Sequence, residues 1–257
     1  MNAALSYAGR WPVLESGLLN PELDLGAYAE AFQRDGRVQV ENALRPEVAE
    51  FLYQVLDQQV PWHLAFRNAQ GSQELPPEQW GSLSSQQRHA IEQEVFELAQ
   101  GDQFQFCYFT YMMVKAYLQK RDVNLPLNRV VELVNHSSWL NPMRKITGFE
   151  QIGRANAQAT CYRAGHFLTR HNDAAAKEKR LTAYVINLTK EWRSDWGGLL
   201  QFLDDDDRVT KTLMPRFNSI SMFRTPAMHC VSPVALYARG SRYTITGWLL
   251  TRDSAVA

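Results

Sequence analysis

Between residues 157 and 251 the chain is a succession of short runs in which apolar and polar positions alternate. The runs are rich in Thr, Tyr, Val, Ile, Phe and Trp and are separated by Gly, Asp, Asn and Pro. A period of two is the signature of a strand with one face buried, so strands are predicted at 159–163, 167–171, 180–188, 199–203, 209–213, 219–223, 229–231 and 242–251. So many short strands in so little chain predict a sandwich or a barrel. The acidic run Asp204 to Asp207 falls between two of them and reads as a solvated hairpin turn rather than a cation site.

Before residue 157 the period lengthens. A helix is predicted over 25–34 and a short strand over 37–40. Pro46 stands where a helix can begin without losing a hydrogen bond, and Val48, Phe51, Leu52, Val55 and Leu56 follow at helical spacing, which gives a face to pack on a sheet. Gly71, Pro76, Pro77 and Gly81 among polar residues make 68–81 read as a long loop. Ser84 or Ser85 can cap a helix that carries Ile91, Val95 and Leu98 and stops near Gly101; further helices are predicted at 127–134 and 138–145, the latter ending before Gly148. The fold class expected is α+β with a mainly β core: residues 1–25 an N-terminal extension, 26–156 helical support and loops, 157–251 the barrel, with 26–257 one domain.

Composition narrows the function classes. A chain of 257 residues, 45% of them hydrophobic, buries one sizeable core. Lys plus Arg and Asp plus Glu each number 27, so no net field draws it to nucleic acid or an anionic membrane. Cys107, Cys161 and Cys230 are odd in number and scattered, which fits buried thiols in a reducing compartment. With no apolar run near the roughly 20 residues of a membrane span and no recognisable leader, a cytoplasmic protein is expected.

The chemistry concentrates on a few positions. His171 and Asp173 stand two residues apart at the end of a predicted strand, and a barrel can bring His229, at the start of another, beside them. Two imidazoles and one carboxylate on one face of an octahedron suit non-haem Fe(II) and leave the opposite face open. Alone the pattern is weak, since six histidines produce it by chance. The last strand strengthens it: alternation puts Arg242, Thr244, Thr246 and Trp248 on one side and Tyr243, Ile245 and Leu249 on the other. An arginine facing a barrel interior needs a buried anion, and the distal carboxylate of 2-oxoglutarate, chelated to the iron by its other end, supplies one. Thr246 can add a hydroxyl donor and Trp248 a wall. By itself Arg242 reads as a surface residue starting an edge strand; together with the metal pattern it reads as a ligand anchor.

The segments Cys161-Tyr162-Arg163-Ala164-Gly165 to His171-Asn172-Asp173, Lys190-Glu191-Trp192 to Gly197-Gly198-Leu199, Met222-Phe223 to His229-Cys230-Val231, and Arg242 to Trp248 resemble the prolyl-hydroxylase branch of the Fe(II)/2-oxoglutarate dioxygenases. In style they are similar to ribosomal prolyl hydroxylases and, more distantly, to hypoxia-sensing ones. The likeness covers about residues 157 to 251, and residues 61–150 carry no matching motif. It implies a double-stranded β-helix (jelly-roll) barrel buttressed by N-terminal helices, with Fe(II), 2-oxoglutarate and O2 as the cofactor and cosubstrates. It also implies iron on His171, Asp173 and His229, the distal carboxylate on Arg242, and Tyr162 bonding that same carboxylate; Gly197 and Gly198 serve backbone geometry. Two positions depart from the pattern: Gly165-His166 stands where relatives often have Gly-Asp, and Asn187 where the hypoxia-sensing group has a tyrosine. The 13 positions from His229 to Arg242 are a longer gap than in that group, consistent with a looped insertion over 235–240. His166 is a competing ligand only if the strand is irregular, whereas His63, His89 and His136 lie outside the barrel strands and Cys230 faces away from the metal. The implied reaction hydroxylates a C–H bond and yields succinate and CO2. The substrate expected is a prolyl residue of a protein; alternatives are a free amino acid or small natural product, and a non-catalytic metal- or partner-binding barrel. An open groove beside the iron favours a polypeptide, and a pocket sealed by 68–81 a small molecule.

Overall fold

In the computed structural model, which describes residues 6–175 and 178–254, helices come first and mostly strands follow. Residues 1–5 of the expected extension and 255–257 of the expected domain lie outside the described residues. The helices are α1 (Pro12–Glu15), α2 (Leu25–Asp35), α3 (Pro46–Gln58), α4 (Pro77–Ser82), α5 (Ser85–Ala99), α6 (Met113–Leu118), α7 (Leu127–Val134) and α8 (Ser137–Thr147). The strands are β1 (Arg37–Glu41), β2 (His63–Asn68), β3 (Gly71–Leu75), β4 (Phe106–Tyr111), β5 (Ile152–Ala155), β6 (Gln158–Tyr162), β7 (Phe167–His171), β8 (Arg180–Asn187), β9 (Leu200–Leu203), β10 (Val209–Leu213), β11 (Ser219–Arg224), β12 (His229–Val231) and β13 (Arg242–Thr251). Among the described residues no helix is long and apolar enough to cross a membrane.

The strands form one antiparallel sheet in the order β1-β11-β8-β13-β6-β4-β7-β12-β9-β10, with β2 and β3 added beyond β4 and β5 beside β13. It curls into a nearly closed jelly-roll barrel, the α+β fold that the sequence pattern implies. Alternation along each strand decides which face does what. On β13, Tyr243, Ile245 and Leu249 are buried against the helices, in a core that also takes Val48, Leu52 and Val55 of α3 and Trp139 of α8. Residues of the opposite faces, such as Ala183, Leu200, Phe202 and Phe223, pack inside the barrel. Leu14 and Leu18, in the expected extension, belong to the same core as the helices.

β4 holds the barrel's corner. Its second half pairs with β6 through Phe109, Thr110 and Tyr111, and its first half with β7 through Phe106 and Cys107. Residues 163–166 drop out of the ladder between the two pairings, so β4 bridges the junction of β6 and β7. Phe104, just before β4, lies beside His171 at the end of β7.

Several expectations need correction. The segment 68–81 is not a loop: β2 and β3 form a hairpin about Ala69 and Gln70, in register from Leu64↔Leu75 to Asn68↔Gly71, and α4 follows. It reads as loop because β3, Gly-Ser-Gln-Glu-Leu, is a solvated edge whose polar side chains give no apolar alternation. His63 consequently lies in the sheet, its Nδ1 2.8 Å from Glu74 on β3. α5 forms behind a capping box made by Ser84 and Gln87, yet of the expected face only Val95 is buried and Leu98 is exposed. The run Asp204 to Asp207 is a tight turn in which the Asp204 carboxylate accepts from the backbone N–H groups of Asp206 and Arg208.

Candidate metal and 2-oxoglutarate site

β7 and β12 pair with His171 directly opposite His229, and this register builds the site. The two imidazole centroids are 4.1 Å apart. Asp173, just past the end of β7, takes a left-handed backbone at φ 60° that turns its carboxylate back to them. One oxygen lies 3.4 Å from Nε2 of His171, the other 3.5 Å from Nε2 of His229. One ligand atom from each of the three residues falls within 4.8 Å of the others, a spread that could hold a metal ion.

The ring tautomers follow from the backbone. Nδ1 of His171 lies 2.9 Å from the Thr169 carbonyl, and Nδ1 of His229 lies 2.7 Å from the Ala227 carbonyl. A carbonyl only accepts, so each Nδ1 carries the proton and each Nε2 presents a bare lone pair to the centre. Burial, reinforced by the neighbouring His171, pushes His229 down to about 4, so its ring is neutral near neutral pH. Burial works against ionisation of Asp173, but the two imidazoles beside it outweigh that and hold the carboxyl below its usual range. A neutral imidazole, as at His229, and an ionised carboxylate are the states a divalent metal requires.

From the triad a cavity of about 390 Å³ runs down the barrel to Arg242. Arg242 is 3% exposed, its Nε has no hydrogen-bond partner, and no carboxylate pairs with it among the described residues. Its guanidinium carbon lies 5.1 Å from the centroid of the Tyr162 ring, which pairs with it across β13 and β6. Burial pulls the guanidinium down from its ordinary value and pushes the Tyr162 phenol well up, so the phenol stays protonated and a donor. Room for the arginine comes from the glycine pair: at Gly198, φ +62°, a Cβ would meet Val234 at 3.1 Å and the Cδ of Arg242 at 3.4 Å.

Trp248 lines the cavity, and the guanidinium of Arg180 lies 3.6 Å over its ring. Thr246 lines it too, but its hydroxyl donates to the Tyr184 carbonyl at 3.0 Å, so the donor expected there is spent on backbone. A free donor lies deeper, where the Thr160 and Thr244 hydroxyls are 2.6 Å apart. Only one proton is used between them, which leaves the other for the cavity.

The sequence missed three contributors. Phe104 packs at a tilt on His171 at 5.1 Å, Tyr108 stacks on Tyr162 at 5.1 Å, and Arg180 caps Trp248. Phe104 and Tyr108 lie in a stretch without motif, and Arg180 is only the charged start of a strand. The remaining histidines stay apart. His166 accepts the Arg163 N–H at Nδ1 and packs against Phe109, while His89 is exposed and His136 caps α8. Cys230 turns to Gln201, and Asn187 donates to the Ser219 and Ser221 hydroxyls.

Residues 157–250 match the family model of the 2OG-Fe(II) oxygenase superfamily. The prolyl 3-hydroxylase OGFOD1 of Mus musculus is 26% identical over 136 residues, 50% of this chain and 24% of that protein, so the chain spans about a quarter of the length of this relative. Among solved structures, an oxidoreductase of the 2OG-Fe(II) oxygenase family from Burkholderia pseudomallei superposes with TM-score 0.58 at 13% identity, covering 91% of this chain and 94% of that one. A prolyl hydroxylase from Trichoplax adhaerens, in complex with a hypoxia inducible factor oxygen degradation domain peptide fragment, gives 0.54 at 18% identity, with 89% and 90% covered. A Pseudomonas putida prolyl-4-hydroxylase gives 0.53 at 14%, with 91% and 96% covered. These structures share the fold. Over the barrel the chain is thus similar to the 2OG-Fe(II) oxygenase superfamily and to a prolyl hydroxylase, and the His-Asp-His cluster that could hold a metal ion lies inside the matched stretch.

Proposed function

We propose that this protein hydroxylates a prolyl residue of a protein or peptide, with His171, Asp173 and His229 holding Fe(II) and Arg242 anchoring 2-oxoglutarate. The observation that carries the reading is one cavity whose mouth holds two imidazoles and a carboxylate and whose depth holds a buried guanidinium without an anion. A keto-diacid satisfies both ends at once, since leaving a buried charge unpaired is costly. When bound, the metal with 2-oxoglutarate supplies oxidising chemistry that places one atom of O2 in the substrate C–H bond and the other in succinate, with release of CO2.

The chain's own residues position and shield. Arg242 and the Tyr162 phenol converge on the distal carboxylate, and the Thr160–Thr244 pair adds the hydroxyl proton that Thr246 does not. The Nδ1–H bonds of His171 and His229 to backbone carbonyls fix both rings before any ligand arrives. Phe104 covers the outer side of His171, and Trp248 under Arg180 walls the opposite rim, which limits water at the reacting C–H bond. Nothing from 68–81 lines the cavity, so the seal that favours a small substrate is not made by that segment. A free amino acid remains the second reading. The reducing compartment suggested by three free cysteines makes the cytoplasm the proposed location.

Two experiments test this. Anaerobic titration with Fe(II) and 2-oxoglutarate should give a metal-to-ligand visible band, absent from His171→Ala, Asp173→Ala and His229→Ala, whose succinate formation should fall by about a hundredfold or more. Mass spectrometry of host proteins with and without this gene should find a prolyl residue that gains one oxygen; a gain confined to free amino acids would favour the second reading.

A further inference from the structure

Beside the cavity, on the far side of Trp248, lies a groove of about 400 Å³. One wall is the face of α6 with the residue before it: Met112, Val114 and Leu118. Opposite stand Ala157, Gln158, Thr246 and Trp248, and the last three line the metal cavity as well. The two spaces are therefore neighbours across one row of side chains. Met112 is 37% and Leu118 57% exposed, large apolar side chains left facing solvent on a helix otherwise anchored by buried Met113 and Ala116. Exposed apolar surface rimmed by polar groups marks an interaction site, and Lys115 supplies a cation beside it.

We infer that this groove holds the segment of the substrate polypeptide next to its target residue, seating one large apolar side chain between Met112 and Leu118 with an acidic residue beyond it toward Lys115. The inference rests on the prolyl-hydroxylase reading and deepens it. Two observations favour a polypeptide in this place. The groove adjoins the reaction cavity across the Gln158, Thr246 and Trp248 side chains, so a chain with its target residue over the triad reaches it by crossing that one row. Its apolar floor with a cation at the edge complements an apolar residue followed by an acid. One wall of the groove, residues 112–118, lies outside the family-matched 157–250, and the opposite wall lies within it.

The test uses the full chain with Fe(II) and a library of seven-residue peptides, each with a central proline and varied flanking positions, read by the mass gain of one oxygen. The wild type should prefer a large apolar residue at one flanking position. Leu118→Glu and Met112→Glu should lower kcat/KM for peptides with that residue roughly tenfold, the scale set by one apolar side chain in a pocket. Lys115→Glu, a surface change that spares the fold, should invert the preference for an acid at the adjoining position. Calorimetry of 2-oxoglutarate binding to the Mn(II)-loaded variants should give dissociation constants within about twofold of wild type. Variants that bind 2-oxoglutarate normally yet keep the wild-type peptide preferences would overturn the groove while sparing the reaction. If the wild type binds 2-oxoglutarate but oxidises no peptide, the polypeptide reading falls and takes the groove with it.

Discussion

At the scale of single residues, two titratable groups dominate. Arg242 is held without an anion, so the ligand-free protein bears the cost of a desolvated charge. Arg242→Met should therefore raise the stability of the ligand-free protein by about 1–3 kcal/mol in chemical denaturation while weakening 2-oxoglutarate binding on the order of a hundredfold; a destabilised Met variant would show that the cavity already satisfies the guanidinium. The other group is His166, which burial pushes down to about 4 and whose Nδ1 accepts a backbone N–H, so only the neutral ring fits. In the unfolded chain it takes up a proton near its ordinary 6.5. Stability is thus full above that pH and is lost as pH falls through the window down to about 4, by up to about 3 kcal/mol from this residue. His166→Gln should flatten the acid limb of the stability-versus-pH curve between those values. The convergence of His171, Asp173 and His229 was legible at this scale because His-x-Asp on a strand end is short-range, and the burial of Arg242 because a charge on an inward face breaks the alternation. Tyr108 and Phe104 were not legible, since an aromatic in a run of aromatics reads as core.

At the scale of elements, strands with one solvated or cavity-lining face announced themselves, and those without one did not. All eight strands expected between 159 and 251 form, most within a residue of the expected bounds. β4, Phe-Cys-Tyr-Phe-Thr-Tyr, is buried on nearly every position, so no period appears, and β3 is polar on nearly every position with the same result. β13 shows how tightly an element can be specified. At Gly247 an added Cβ would sit 2.0 Å from the Asn156 carbonyl, which also accepts the Tyr184 hydroxyl, while the Asn156 side chain accepts the Trp248 N–H. Gly247→Ala should cost about 2–3 kcal/mol or more in thermal or chemical unfolding and shift the Trp248 fluorescence, because the backbone that aims this side chain must move. Full retention of stability would show that Asn156 yields.

For the molecule as a whole, the family-matched residues 157–250 are not a separable unit. The outer face of β13 is covered by helices that precede residue 157, and β1, the partner of β11, precedes it too. A fragment beginning at residue 157 should be insoluble or lack a cooperative transition in circular dichroism, whereas the full chain should melt in one step that 2-oxoglutarate with Mn(II) shifts upward. The barrel was legible from its strands. The helical half was legible only as support, because a helix face records that it is covered and not by what.

Strand β4 has a mechanical consequence. Between residues 106 and 111 it is paired with β2 on one side and with β6 and β7 on the other, so it is clamped throughout, and Phe104, two residues before it, hangs beside His171 from a fixed rail. Amide hydrogens of Phe106 to Tyr111 should accordingly exchange with solvent only through global unfolding; fast exchange there, sensitive to substrate, would mean the rail yields.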